Sequence, residues 1–336
     1  MIIAAYLVVD IVPSVALLLG SMRRGSIMSS QKKVLNIEGD DFYFLGISDI
    51  DIYFQNIGND VEDAFVDLCR RVLSADSIVI DVGSNIGITT TIMSRFVSNG
   101  HVISIEPNPE VFNILELNIK QNEIRNVTPL QIALTDSKGH VAFNPDSAFG
   151  HLLHQDNQNF GSISVEATTL DLLVESLNLQ KVDFIKIDVE GFEPNVIAGA
   201  KKTIARFQPM IYCELNSWCL LDHGGHNPLD FVETIFDDFE FVYMVNRKHR
   251  SSLVVFPPAD AETSRSKARQ LVHENIVRNN SWDDLIFFNE PQRLSSPFHQ
   301  QSDGPILEDK TAMVSQDESQ NKPRLFMKVL RKMLNK

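Results

Sequence analysis

The stretch SIVIDVGSNIGITTT, residues 77–91, constrains the fold of this chain more than any other. An apolar run ends at Asp81, and Gly83, Asn85 and Gly87 follow at alternate positions before a helix-like segment begins. Glycine turns a backbone sharply and admits a close neighbour where a Cβ would otherwise stand. A strand that only needs burial has no use for such an ending, whereas a strand leading into a ligand cradle does. A dinucleotide-binding turn reads GxGxxG, with pyrophosphate on the helix N-terminus. Here the order is GxNxG, which fits a smaller adenosine-bearing ligand. Further on, VISIEP puts Glu106 at the end of the next strand, where a carboxylate can accept hydrogen bonds from both ribose hydroxyls.

The same alternation continues along the chain. IVIDVG, HVISIE, VTPLQIAL, FIKIDV and MIYCEL read as buried strands, with NPEVFNILELNIKQN and EPNVIAGAKKTIARF as intervening helices. Repeated β–α units predict an α/β fold with a mainly parallel Rossmann-like sheet and helices on both faces. The later runs FEFVYMVN, SLVVF and DLIFF predict antiparallel edge strands. Before the core, VLNIEG, FYFLG and DIYFQ read as short strands, and DVEDAFVDLCRRVL as a helix with Val61, Phe65, Leu68 and Val72 on one face. The stretch 140–166, rich in Asn, Gly, Ser and His, reads as a loop over the site.

The ends differ from this body. Residues 1–27 open with MIIAAYLVVDIVPSVALLLG, close to the ~20 apolar residues that cross a bilayer. Asp10 and Pro13 oppose a span, while Arg23 and Arg24 would keep the main domain cytosolic. The segment reads either as a membrane anchor or as a start placed ahead of Met22 or Met28. Residues 28–69 read as an extension, 70–290 as the main domain, and the polar, Ser/Gln-rich 291–322 as a disordered linker. Residues 323–336, with Leu325, Phe326, Val329, Leu330, Met333 and Leu334 on one face and Lys328, Arg331, Lys332 and Lys336 around it, read as a basic amphipathic helix. Such a helix suits an anionic membrane surface, a partner, or packing against its own domain. A net charge of −14 argues against a nucleic-acid partner. Three cysteines without CxxC spacing suggest neither a disulfide framework nor a zinc site, and fit a cytoplasmic, reducing setting.

TTLDLL, FIKIDVEGFEPNVIAGAKKTI and QPMIYCELN, together with DVGSNIG and IEPNP, resemble the FkbM family of class I methyltransferases, over roughly residues 70–256. The resemblance implies a Rossmann-like domain that binds S-adenosylmethionine and commonly methylates a hydroxyl in natural-product or surface-polysaccharide biosynthesis. By position, Asp81, Gly83, Asn85 and Gly87 would line the methionine end of the cofactor and Glu106 would hold the ribose. Adenine would rest near Pro107, Asn108 and the chain around Ile132–Ala133, although the Asp expected after strand three is replaced by Gln131 or the later Asp136.

An alcohol acceptor needs a general base or a metal ion. Asp188 in KIDVEGFE is the first candidate for base or acceptor-orienting group, followed by Glu190 and Glu193, with Lys186 expected on the strand's other exposure. Glu193 also suits the first turn of a helix opened by Pro194. Glu214, closing IYCEL, would complete an acidic cluster with Asp188. Such a cluster would suit Mg²⁺, although no diagnostic spacing supports it. The pairs His151/His154 and His223/His226 lie in the loops, 144–163 and 216–228, that should overhang a small-molecule or glycan acceptor. Competing readings are a nicotinamide oxidoreductase, disfavoured by GxNxG; an N-methyltransferase, disfavoured by the absence of an NPPY-like tetrad; and an inactive cofactor-binding scaffold.

Overall fold

The computed structural model describes residues 32–48, 54–55, 57, 63–145, 150–153, 161–245, 253–255 and 264–289. The expectations for residues 1–27, for the linker and for the C-terminal helix fall outside them. No described helix is long and apolar enough to cross a membrane.

An eight-stranded sheet forms the core, in the order β13 (Leu253–Val255), β12 (Phe241–Val245), β14 (Trp282–Phe288), β11 (Met210–Asn216), β10 (Phe184–Ile187), β3 (Ile78–Val82), β4 (His101–Ile105) and β5 (Val127–Leu130). β11, β10, β3, β4 and β5 run parallel. β14 is antiparallel to both β11 and β12, and β12 is antiparallel to β13. The C-terminal strands are therefore antiparallel as expected, with β14 inserted inside the sheet rather than at its edge.

Alternate residues of each strand feed opposite faces. Ile80, Val82, Ile103, Ile105, Ile185 and Ile187 bury against α4 (Leu170–Ser176), α5 (Glu193–Ala198), α8 (Pro228–Asp238) and α9 (Ser264–His273). Val79, Val102, Phe184, Met210 and Tyr212 bury against α1 (Asp63–Val72), α2 (Ile88–Phe96) and α3 (Pro109–Gln121). Phe65 and Leu68 of α1 supply its apolar face as predicted, joined by Cys69; Val61 lies outside the described residues. This is the doubly wound arrangement that the β–α rhythm implied.

Four local expectations change. VTPLQIAL is not one strand: it breaks after Leu130, and Ala133–Leu134 form β6 of a second sheet. Residues 140–166 are not simply a loop, because β7 (Gly139–Asn144), β8 (His151–Leu152) and β9 (Ile163–Thr168) join β6 in the order β6-β9-β7-β8. The alternation Val141, Phe143 and Ile163, Val165, Ala167 gives this sheet one apolar face, which packs on Phe192. EPNVIAGAKKTIARF divides at Gly199, giving α5 and α6 (Lys201–Phe207). A Cβ at Gly199 would stand 2.1 Å from the carbonyl oxygen of Thr135, so the chain must pass closely there. In the extension, β1 (Lys32–Ile37) and β2 (Asp40–Leu45) pair antiparallel, but Phe54 and Gln55 are helical rather than part of a third strand.

Sheet order reverses between β3 and β10, since β4 and β5 extend one way and β11 the other. Ligands of open α/β sheets bind in the crevice at the carboxyl ends of the strands flanking such a switch point.

Candidate active site

The turn after β3 is built by three residues of positive φ: Gly83 at 79°, Asn85 at 50° and Gly87 at 94°. A Cβ on Gly83 would lie 1.8 Å from the Asp188 carbonyl oxygen, and one on Gly87 would lie 2.6 Å from Leu115 Cδ1. The missing side chain at Gly83 lets β3 meet the end of β10, and the one at Gly87 lets the turn pass close to α3. The amides of the turn are already engaged. Gly83 N and Ser84 N donate to the Ile105 carbonyl, both at 3.0 Å, and Gly87 N donates to the Ser84 carbonyl at 2.9 Å. Asn85 N donates to Glu106 Oε2 at 3.0 Å. A phosphate cradle needs such amides free, so the turn disfavours pyrophosphate on geometry as well as on sequence.

Glu106 ends β4 and is buried. Its Oε1 accepts from Asn108 N at 2.8 Å, so each oxygen holds one backbone amide and retains further lone-pair capacity. Burial pushes its carboxyl up to about 7, with the two amides and Lys186 acting in the opposite sense. Asn108 N-caps α3 through Glu110 N at 3.0 Å, with Pro109 at the first helical position. The cap uses its side-chain oxygen. Ala133 is buried in the core of the small sheet, Gln131 is exposed, and Asp136 accepts from Asn195 Nδ2 at 3.3 Å.

Asp81 is fully buried, with Oδ2 accepting from Thr89 Oγ1 at 2.9 Å and Thr90 Oγ1 at 2.6 Å. Its Oδ1 faces Lys186 Nζ at 3.5 Å. The same ammonium lies 3.5 Å from Asp188 Oδ2 and donates to the Gly83 carbonyl at 2.9 Å. Lys186 is therefore not turned away from the site but stands at its centre, tying β3, the glycine turn and Asp188 together. The register explains it: Lys186 pairs with Asp81 across β10 and β3, and strand periodicity puts residues 186 and 188 on one face. Asp188 is the most open member, its side chain 38% exposed.

The loop after β10 carries two more carboxylates. Glu193 has no exposure, and its Oε1 accepts from Val189 N and Gly191 N at 3.1 Å each. Its Oε2 accepts no hydrogen bond, and burial pushes the carboxyl up to about 7. Glu193 stands in the first turn of α5 as expected and also braces the loop before it. Glu190, at φ 54°, accepts from Cys219 Sγ at 3.1 Å, and burial followed by the charge of Asp188 pushes it up to about 7. Glu214 on β11 is buried and accepts from Trp282 Nε1.

α7 (Ser217–Asp222), N-capped by Asn216, presses on this loop. A Cβ on Gly191, at φ 104°, would lie 2.3 Å from the Cys219 carbonyl oxygen. One histidine of each segment meets the other, His151 of β8 against His223 after α7. His151 stacks on His223 at 3.7 Å between centroids, and Trp218 meets His223 edge-on at 4.9 Å. His223 Nδ1 lies 3.0 Å from the Glu190 carbonyl oxygen, and burial, then His151, hold its ring below the usual imidazole range. His226 Nε2 meets Asn195 Oδ1 at 2.7 Å, and His154 lies outside the described residues. Glu190, Cys219 and His223 each bring one metal-competent atom within 4.8 Å of the others, a grouping with no CxxC spacing. Cys219 and His223, four residues apart, were the readable signal.

The family model for the methyltransferase FkbM domain matches residues 81–248, from the glycine turn through β12. A hexuronic acid methyltransferase, AglP, of Haloferax volcanii is 35% identical over 174 residues, spanning 52% of this chain and 67% of that one. The 2-O-methyltransferase NoeI of Sinorhizobium fredii is 26% identical over 184 residues, spanning 50% and 74%. Methyltransferase 1 of Beauveria bassiana is 27% identical over 161 residues, spanning 41% and 65%. With the class I sheet, its switch-point crevice and this match over half its length, the chain belongs to the FkbM family and is a methyltransferase.

Proposed function

We propose that the chain transfers a methyl group from S-adenosylmethionine to a hydroxyl of a sugar, in a glycan or a lipid-linked saccharide. The single observation that carries the cofactor assignment is Glu106. It is a buried carboxylate held by two amides at the end of β4, beside a turn whose own amides are consumed. Such a site favours a hydroxyl-bearing ribose over a pyrophosphate. Asp81, Asp188 and Glu106 around one Lys186 also suit a cationic group better than an anionic one. Bound there, S-adenosylmethionine supplies an electrophilic methyl group on a sulfonium.

Glu106 would hold the ribose hydroxyls, with Asp81, Gly83, Asn85 and Gly87 bordering the methionine end. Asp188 is the group we assign to orient the acceptor hydroxyl and take its proton, being the most open carboxylate beside the turn. Lys186 is a positioning residue that fixes Asp188 relative to Asp81. Glu214 lies one strand away, one residue past the Ile187–Cys213 pair of the β10–β11 register. The names of the Haloferax and Sinorhizobium relatives support a sugar acceptor, a uronic acid or a 2-hydroxyl being the first to try. The acidic balance supports a saccharide over a nucleic acid.

The test is incubation with S-adenosylmethionine and a panel of uronic-acid and neutral saccharides, reading methylated product by mass spectrometry. Asp188→Asn should lower kcat by about 10²–10⁴-fold while leaving S-adenosylhomocysteine binding intact. Full turnover by that variant would remove Asp188 from the chemistry. Cofactor binding without transfer to any acceptor would favour the scaffold reading.

A further inference from the structure

We propose that Glu190, Cys219 and His223 form a site for one divalent transition-metal ion of the zinc type. A carboxylate oxygen, a thiol sulfur and a ring nitrogen from these residues lie within 4.8 Å of one another. Thiolate, imidazole and carboxylate together form the donor set of a borderline ion, not of Mg²⁺, which takes oxygen ligands. This donor set thus differs in chemistry from the oxygen-only set that Asp188 and Glu214 would offer.

The surroundings are arranged as a metal site requires. Cys219 Sγ already meets Glu190 Oε2 at 3.1 Å. His223 Nδ1 lies 3.0 Å from the Glu190 carbonyl oxygen. A carbonyl only accepts, so Nδ1 carries the hydrogen and Nε2 holds the lone pair. A ligating histidine characteristically donates its other ring N–H to such a carbonyl, which fixes its tautomer and orientation. His151, stacked at 3.7 Å, and Trp218, edge-on at 4.9 Å, hold the ring plane. The backbone is equally constrained, because the glycine at 191 lets the loop approach the Cys219 carbonyl. Three protein ligands leave one position of a tetrahedral ion for a water or an acceptor oxygen.

Binding replaces the Cys219 S–H bond by a sulfur–metal bond and releases that proton to solvent, with no change of oxidation state. Affinity therefore rises with pH. The proposal does not rest on the methyl-transfer reading, and either can fail alone.

The test uses the full chain stripped of metal, with Zn²⁺ titrated against a chromophoric chelator and Co²⁺ as the spectroscopic probe. One equivalent should bind, and the cobalt form should show thiolate-to-cobalt charge transfer and tetrahedral d–d bands. Cys219→Ser should abolish the charge-transfer band. His223→Gln should weaken zinc by more than the roughly 10–100-fold of an outer-shell loss, and Cys69→Ser, on α1, should change nothing. Wild-type protein with no charge-transfer band would overturn the proposal even if the variants failed to fold. So would zinc affinity unchanged in both Cys219→Ser and His223→Gln.

Discussion

Replacing Glu193 by glutamine probes how the loop after β10 is held. The carboxyl has no exposure, its Oε1 accepts two amides and its Oε2 accepts none. Burial moves its pKa from 4.5 to about 7. The native state then keeps its proton to higher pH than the unfolded chain does. Stability from this group is full below 4.5, falls as pH rises from 4.5 to about 7, and is flat above. At 1.36 kcal/mol per pK unit, ionising it in the native state costs about 3 kcal/mol at pH 8 and under about 1 kcal/mol at pH 5. Glutamine keeps the acceptor for Val189 and Gly191 but buries an N–H₂ where Oε2 stood, a pH-independent cost of about 1–3 kcal/mol. The two effects nearly cancel at pH 8, whereas at pH 5 less than about 1 kcal/mol offsets the glutamine cost. Urea unfolding of both proteins at pH 5 and pH 8, followed by circular dichroism, should show a difference between them that changes by about 2–3 kcal/mol across that range. Parallel pH profiles for wild type and variant would refute the assignment of a buried, uncompensated carboxylate.

Other perturbations read other parts of the site. If Glu106 receives ribose hydroxyls as a carboxylate, S-adenosylhomocysteine affinity should fall as pH drops through about 7, where its proton is taken up, and the dependence should vanish in Glu106→Gln. Gly83→Ala puts a Cβ 1.8 Å from the Asp188 carbonyl oxygen at φ 79°, and should destabilise by about 3 kcal/mol or more in thermal unfolding. Lys186→Met strands Asp81 without its ammonium, which should cost about 3–5 kcal/mol in chemical denaturation. Lys186→Arg should recover part of that stability but not kcat, if exact placement of Asp188 matters.

The sheet was legible because long apolar runs alternate with helical periods, and burial on both faces demands such runs. The glycine turn and Glu106 were legible because their spacing follows from strand ends meeting at one edge. What escaped lies in tertiary pairing. Lys186 reads as a solvent-seeking residue, and only the register of β10 against β3 makes it a buried partner of Asp81. His151 and His223 are 72 residues apart and meet because the small sheet of β6 to β9 carries one over the other. That sheet reads as loop because its strands are short and polar on their outer face, so composition outweighs the alternation of Val141 with Phe143. Glu190 and Cys219 fall together only through a left-handed residue and a glycine in adjacent positions, which no helical or strand period encodes.

The most direct measurement is calorimetric titration of S-adenosylhomocysteine into the full chain, wild type beside Glu106→Gln. One-to-one binding is expected, weakened about 10–100-fold in the variant as a charge-assisted hydrogen bond worth about 1.5–3 kcal/mol is lost. No binding to the folded wild type, or equal affinity in both proteins, would contradict a cofactor site built around Glu106.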